Sequence, residues 1–323
     1  MRSKQPQMQA RRWWKPVLAG LLLLPWSPAQ AAGRQQLHGH RPKALSSAAV
    51  GPVDEGAPLN LSIGLPLRNA DKLQALLADL YDPSSPRYHQ FLNPQAFAEQ
   101  FGPSAADYQA VEAFAKAQGL EIRHRHGNRM VLDVRGKVAD IQRGLHVKLG
   151  RYRRADGSEF RAPDAEPSVD LDTPILHISG LNNAVRPKPL LRKADTAARK
   201  ATAEPMGGSG PLGGFLAHDL RAAYAANVNL SGTGQSVALL EFNSGFHQSD
   251  ITAYEALCGL PNVPVQTVLL DGYDGSEGQA NDEVSLDIEM AMSMAPGLSK
   301  IVVYEGDLPD SILNRIATDN SAK

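Results

Sequence analysis

The chain of 323 residues holds one cysteine, Cys258, so an internal disulfide framework is excluded and the thiol is expected to be buried. After residue 31 no apolar run approaches the roughly 20 residues that span a bilayer, which excludes a later membrane helix. Aromatics are sparse, and the basic residues are scattered rather than interleaved with them, which argues against a nucleic-acid surface. No G-x-S-x-G nucleophile elbow occurs. His124 and His126 lie two apart with neither cysteine nor a third ligand at metal spacing, so they are read as ordinary polar strand residues. His89 is read as a packing or capping residue.

What is present divides into segments. In residues 1–31, Arg2, Lys4, Arg11, Arg12 and Lys15 precede the apolar run "PVLAGLLLLPW", and Ala29 to Ala31 supply small residues for cleavage. That pattern is a signal peptide and implies export, extracellular or periplasmic. Residues 32–58 read as an N-terminal tail. A first domain is expected over 59–183. "LNLSIGLPL" alternates as a half-buried strand, and Asn69 should cap a helix carrying Leu73, Leu76, Leu77 and Leu80. A short helix has Pro94 just inside its start, and Ser104 caps another that ends before Gly119. Strands "LEIRHR" and "NRMVLDVRG" flank a Gly127-Asn128 turn. A helix over 137–143 follows, then a hairpin across Asp156-Gly157. The order β-α-β-β-α-β predicts a ferredoxin-like α+β module with a helical insert.

Residues 184–211, rich in Pro, Gly, Ala and basic side chains, read as an exposed linker that proteases would cut. Over 212–323, near-continuous apolar strands alternate with helices, which predicts a parallel α/β sheet. The formal net charge of −1 hides an asymmetry: 212–323 carries 15 acidic against 4 basic residues, whereas 32–211 carries 24 basic against 19 acidic. Opposite signs suggest that the two parts attract each other.

"NDEVSLDIEM" at 281–290 places four carboxylates in a helical stretch. At 100° per residue Glu283 and Asp287 share a face, which Met290 and Met294 continue. Asp282, Glu289 and Ser293 form a second, solvated edge, with Val284, Ile288, Ala291 and Met292 on the far side. Glu283 and Asp287 are thus the pair expected to face protein, where burial would spread their titrations apart.

Three stretches carry a resemblance: "SPRYHQFLNPQAFAEQFGPSAADYQAVEAFAKAQGLEI", "DLRAAYAANVNLSGTGQSVALLEF" and "NDEVSLDIEMAMSMAPGLSKIVVYE". In this order they resemble the activation domain, the start of the catalytic domain and the acidic catalytic helix of sedolisin-family serine-carboxyl peptidases such as the kumamolisins. The resemblance implies a subtilisin-like catalytic domain and a Ser-Glu-Asp triad. Glu283 would be the general base, Asp287 would orient it through a hydrogen bond, and Glu241 would extend that chain. The family's nucleophile lies in a G-T-S motif that this sequence does not contain; "SGTG" at 231–234 has Gly where Ser is needed. The nucleophile, the oxyanion aspartate and the calcium ligands are therefore expected beyond Lys323, and this chain alone is expected to be inactive. The implied partners are protein or peptide substrates and the chain's own activation domain. The alternative is a non-catalytic secreted inhibitor or folding partner of another peptidase.

Overall fold

The computed structural model describes residues 33–42, 49–185 and 207–322. The residues read as a signal peptide, and most of those read as a linker, lie outside the described residues. The elements of the first part are β1 (Arg34–Gln36), β2 (Gly51–Pro52), β3 (Pro58–Gly64), α1 (Ala70–Tyr81), α2 (Pro94–Gln100), α3 (Ala105–Ala117), β4 (Glu121–Arg125), β5 (Val131–Lys137), α4 (Val138–Leu145), β6 (Leu149–Arg153), β7 (Glu159–Pro163), β8 (Ser168–Asp170) and β9 (His177–Ser179). The second part contains α5 (Ala217–Tyr224), β10 (Ser236–Phe242), α6 (Gln248–Cys258), β11 (Val265–Leu269), α7 (Asn281–Met294), β12 (Lys300–Gly306) and α8 (Pro309–Asp319).

Local chemistry sets several of these bounds. Asn93 accepts from Ala96 N at 2.8 Å ahead of Pro94, and Ser104 Oγ accepts from Asp107 N at 3.0 Å, satisfying amides that the first helical turn leaves free. Asn69 behaves differently from expectation. It adopts a left-handed conformation and sends its amide to Gln100 O, so α1 starts without a side-chain cap.

The antiparallel sheet of the first part has the order β4-β5-β3-β9, the ferredoxin-like arrangement. Its closing strand is β9. The hairpin β6–β7, expected to close it, pairs instead with β2 in a separate three-stranded sheet. The stretch read as a tail before Leu59 is built in as well: β1 pairs with β8, with Arg34 opposite Asp170 and Arg34 Nε 2.7 Å from its carboxylate.

Leu59, Leu61, Ile63 and Leu65 share one sheet face with Leu132 and Val134, and pack on Val111, Phe114, Ile141 and Leu145. The strand was expected to leave its other face to water. Ser62 and Asp133 on that face are nevertheless buried, because α8 of the second part covers them.

In the second part β10-β12-β11 form a parallel sheet. Ile251, Val284, Ile288, Met292, Ile301 and Val303 fill one side, under α6 and α7. Val302, Tyr304, Leu270 and Ile312 fill the other, against α8. Residues 32–323 cluster as one compact unit.

Helix α8 is shared. Ile312 faces the parallel sheet, while Asp310, Ser311 and Asn314 meet the antiparallel one. Ser311 Oγ donates to Asp133 at 2.9 Å, Asn128 donates to Asn314 at 2.6 Å, and Ser179 donates to Asp310. Asn60 also reaches Asp271 O at 2.8 Å. These contacts are polar, and each partner could be re-solvated on separation.

Candidate active site

The period of two along a strand determines where the acids point. Val237 and Leu239 on β10, and Ile301 and Val303 on β12, face α6 and α7, so Glu241 and Glu305 come next in the same two columns. The register places Glu241 directly opposite Glu305. Both are buried, at 5% and 1% exposure. They stand at the C-terminal ends of parallel strands, where α/β sheets characteristically hold ligands and reacting groups.

α7 lies over this end. Val284, Ile288 and Met292 are fully buried and bind the helix to the sheet, which leaves Glu283 half-buried and Asp287 exposed. Asp287 and Glu241 share a side-chain hydrogen bond. Burial, then the charges of Asp287 and Glu283, push Glu241 up to about 8. Partial burial also pushes Asp287 up, while the bond with Glu241 acts in the opposite sense. The proton therefore belongs on Glu241, which donates to the Asp287 carboxylate. A Glu283–Asp287 hydrogen bond was expected. Among the described residues none forms, and the bond of Asp287 goes to the strand instead.

The second edge of the helix also differs from expectation. Asp282 is exposed, but Glu289 is half-buried and Ser293 wholly buried. The reason is α6, whose Tyr254 Oη lies 2.9 Å from Ser293 Oγ. Burial, with the Asp250 charge as a second cause, pushes Glu289 up to about 7.

Other candidates resolve plainly. The turn 231–234 precedes β10, at the opposite end of the sheet from Glu241. The strand residues from Ser236 to Glu241 alone put about 17 Å between them, at about 3.3 Å per strand residue. Its Ser231 Oγ is 2.7 Å from Thr233 Oγ1, and Ser231 O accepts from Gly297 N. Ser244 is close to the acids but fully buried, its Oγ accepting from Gly278 N at 3.2 Å. Cys258 is half-buried at the end of α6, not enclosed as expected. His126 is no ordinary strand residue. It is 2% exposed just past β4, with Nε2 2.8 Å from Asp133 Oδ2. His89 does pack, stacked between Tyr88 and Phe91. Among the described residues no group of three or more His, Cys, Asp or Glu could hold a metal ion. The residues present thus do not fit the calcium that the family resemblance implies.

Sequence reasoning passed over Glu305. The signal was available: "SVALLEF" and "KIVVYEG" both end an apolar strand with Glu, and parallel in-register pairing brings those ends together.

The family described as Pro-kumamolisin, activation domain, matches residues 46–184. Kumamolisin from Bacillus sp. (strain MN-32) is 29% identical over 307 residues, covering 91% of this chain and 53% of its own length. Xanthomonalisin from Xanthomonas sp. (strain T-22) is 28% identical over 86% of this chain and 36% of its own. Sedolisin from Pseudomonas sp. (strain 101) is 24% identical over 87% of this chain and 49% of its own. The chain thus spans about half the length, or less, of these relatives. With an activation domain matched at 46–184 and sedolisin-type relatives aligned across most of its length, the chain is similar to the precursors of sedolisin-family peptidases.

Proposed function

We propose that the chain is the activation domain and the first part of the catalytic domain of an exported, acid-acting serine-carboxyl endopeptidase. Residues 1–31 would direct export, and maturation would cut within 184–211. In this reading the parallel sheet of 236–306 is the start of a subtilisin-like domain. Glu283 is its general base, Asp287 orients that base and Glu241 buttresses Asp287. Glu283 would take the proton from the attacking serine hydroxyl, supplied from outside this chain, and return it to the leaving amine. A carboxylate with an ordinary pKa near 4.3 does this in acidic surroundings.

The observation that carries the reading is the Glu241–Asp287 hydrogen bond, which presents Asp287 one helical turn from Glu283 at the C-terminal edge of a parallel sheet. The test is cleavage of a denatured protein by the precursor translated through its whole reading frame, after acidification. Glu283→Ala and Asp287→Ala should each lower turnover by about 10⁴-fold, because triad members act as a unit. Asp282→Ala, on an exposed position, should leave it near wild type. Equal losses at all three positions would mean that helix stability had been measured, and full activity in Glu283→Ala would end the proposal.

A further inference from the structure

Glu305 is the acid that this chemistry leaves without a task. Its Oε2 is buried with no hydrogen-bond partner, and so is Glu241 Oε1 on the neighbouring strand. A buried polar atom without a partner calls for an explanation. Neither glutamate forms an ion pair among the described residues, and no metal-binding group is available there to absorb the charge. The loop after β11 closes over Glu305. Gly275 takes a positive φ of 78°, and a Cβ there would lie 3.4 Å from Leu269 Cδ2 and 3.8 Å from Glu305 Oε2. Oε2 is thus covered by the Gly275 backbone beside Leu269, not by a donor.

Adjacent strands lie about 4.8 Å apart, and the paired residues project to the same face. Two carboxyls on in-register neighbours, each with an unpartnered buried oxygen, cannot both ionise near neutrality. We propose that Glu305 is a positioning residue: standing beside Glu241, with neither of them ion-paired to a basic side chain among the described residues, it keeps the proton on Glu241. In acid both glutamates keep their protons; as pH rises toward neutrality and Glu305 ionises, Glu241 remains the donor to Asp287, and Asp287 remains an acceptor held toward Glu283. The assignment rests on the functional reading above for its purpose, though not for its geometry.

The groups that face the pair all act in one direction. Glu241 meets Asp287 and Glu283 from α7 and Glu305 from β12. Glu305 has Tyr273 from the covering loop nearby. Burial pushes Glu305 up to about 7, below Glu241 at about 8. Glu241 faces two further carboxylates, Asp287 and Glu283, so Glu305 is the easier of the two to ionise, and its charge then holds the proton on Glu241. The two steps belong to the coupled pair.

The experiment follows side-chain carboxyl resonances of the ¹³C-glutamate-labelled chain from about pH 4 to about pH 9, with Glu241 assigned by its disappearance in Glu241→Gln. In the wild type the Glu241 resonance should bend twice, weakly as Glu305 ionises and strongly above it. In Glu305→Gln the first bend should vanish and the Glu241 midpoint should fall by about one pH unit, while Glu305→Asp keeps it raised. An unmoved midpoint in Glu305→Gln would overturn the proposal. If that variant does not fold, a single-step wild-type curve overturns it and a two-step curve upholds it. No turnover is required, so a precursor that never cleaves peptide would sink the functional reading and leave this coupling standing.

Discussion

The two parts of the molecule hold buried groups whose pKa values are pushed in opposite directions. In the activation domain His40 is 1% exposed and neutral by design of its contacts: Nε2 accepts from Ile178 N at 3.0 Å and the ring stacks on His177 at 4.3 Å. Burial, then the nearness of His177, pushes His40 down to about 4. In the second part the buried groups are acids, and burial pushes Glu241, Glu305 and Glu289 up to between about 7 and about 8.

The consequences for stability have opposite signs. The unfolded chain protonates His40 near pH 6.5 and the folded domain does not, so that contribution is present above pH 6.5 and is lost as pH falls toward about 4. The raised glutamates contribute fully below about pH 4.5, and their share is lost as pH rises through about 7 to 8. Asp219 is an exception in the second part. Its carboxylate accepts from Leu216 N and Ser209, which holds it down at about 2 and favours higher pH. Acid therefore weakens one part and relieves the other, across a junction made of hydrogen bonds. The charge asymmetry between the parts can draw them together at long range, but the contacts that cross at α8 are neutral or singly charged.

The largest expected effect tests whether the parts are separable at all. Leu132→Ala should cost the activation domain about 2–5 kcal/mol, and Ile288→Ala a similar amount in the second part, because both side chains are fully enclosed. In denaturant each should move its own transition. If either change moves one shared transition, the comparison fails. Next, Glu241→Gln should stabilise the second part by on the order of 3 kcal/mol at pH 8, and by almost nothing near pH 4. Unfolding at the two pH values measures this, and a gain that ignores pH would show that ionisation is not the cause.

Ser311→Ala leaves Asp133 without a donor from α8 and should loosen the junction by about 1–3 kcal/mol. Amide exchange at β5 and α8 should quicken together, with the two cores unchanged. The smallest effect is expected from His40→Gln, which can still accept from Ile178 N but does not titrate. It should recover about 1 kcal/mol of activation-domain stability at pH 5 and none at pH 8. An equal change at both values would assign His40 to packing alone.

Much of this was legible because the signals were local. Caps at Asn93 and Ser104, alternation in β3 and the apolar runs of β10 and β12 each depend on neighbours within a few residues. The closing strand of the antiparallel sheet was not legible. β9 is three residues long, and only its pairing with β3, more than a hundred positions earlier, makes it a strand. The Met290 and Met294 stripe misled for a related reason. A helical wheel gives the faces of α7, but which face is buried depends on where α6 and the sheet stand.

The sequence by itself determined most of the helices and the longer strands, the division into a basic and an acidic part, and the presence of Glu283 and Asp287 one turn apart, since all of these follow from composition and short-range periodicity. Only the tertiary structure decided that Asp287 bonds to Glu241, that Glu305 stands unpaired beside it, and that α8 serves two sheets. Those outcomes depend on strand register and on packing across long separations, where burial sets the cost of a charge and no local pattern records it.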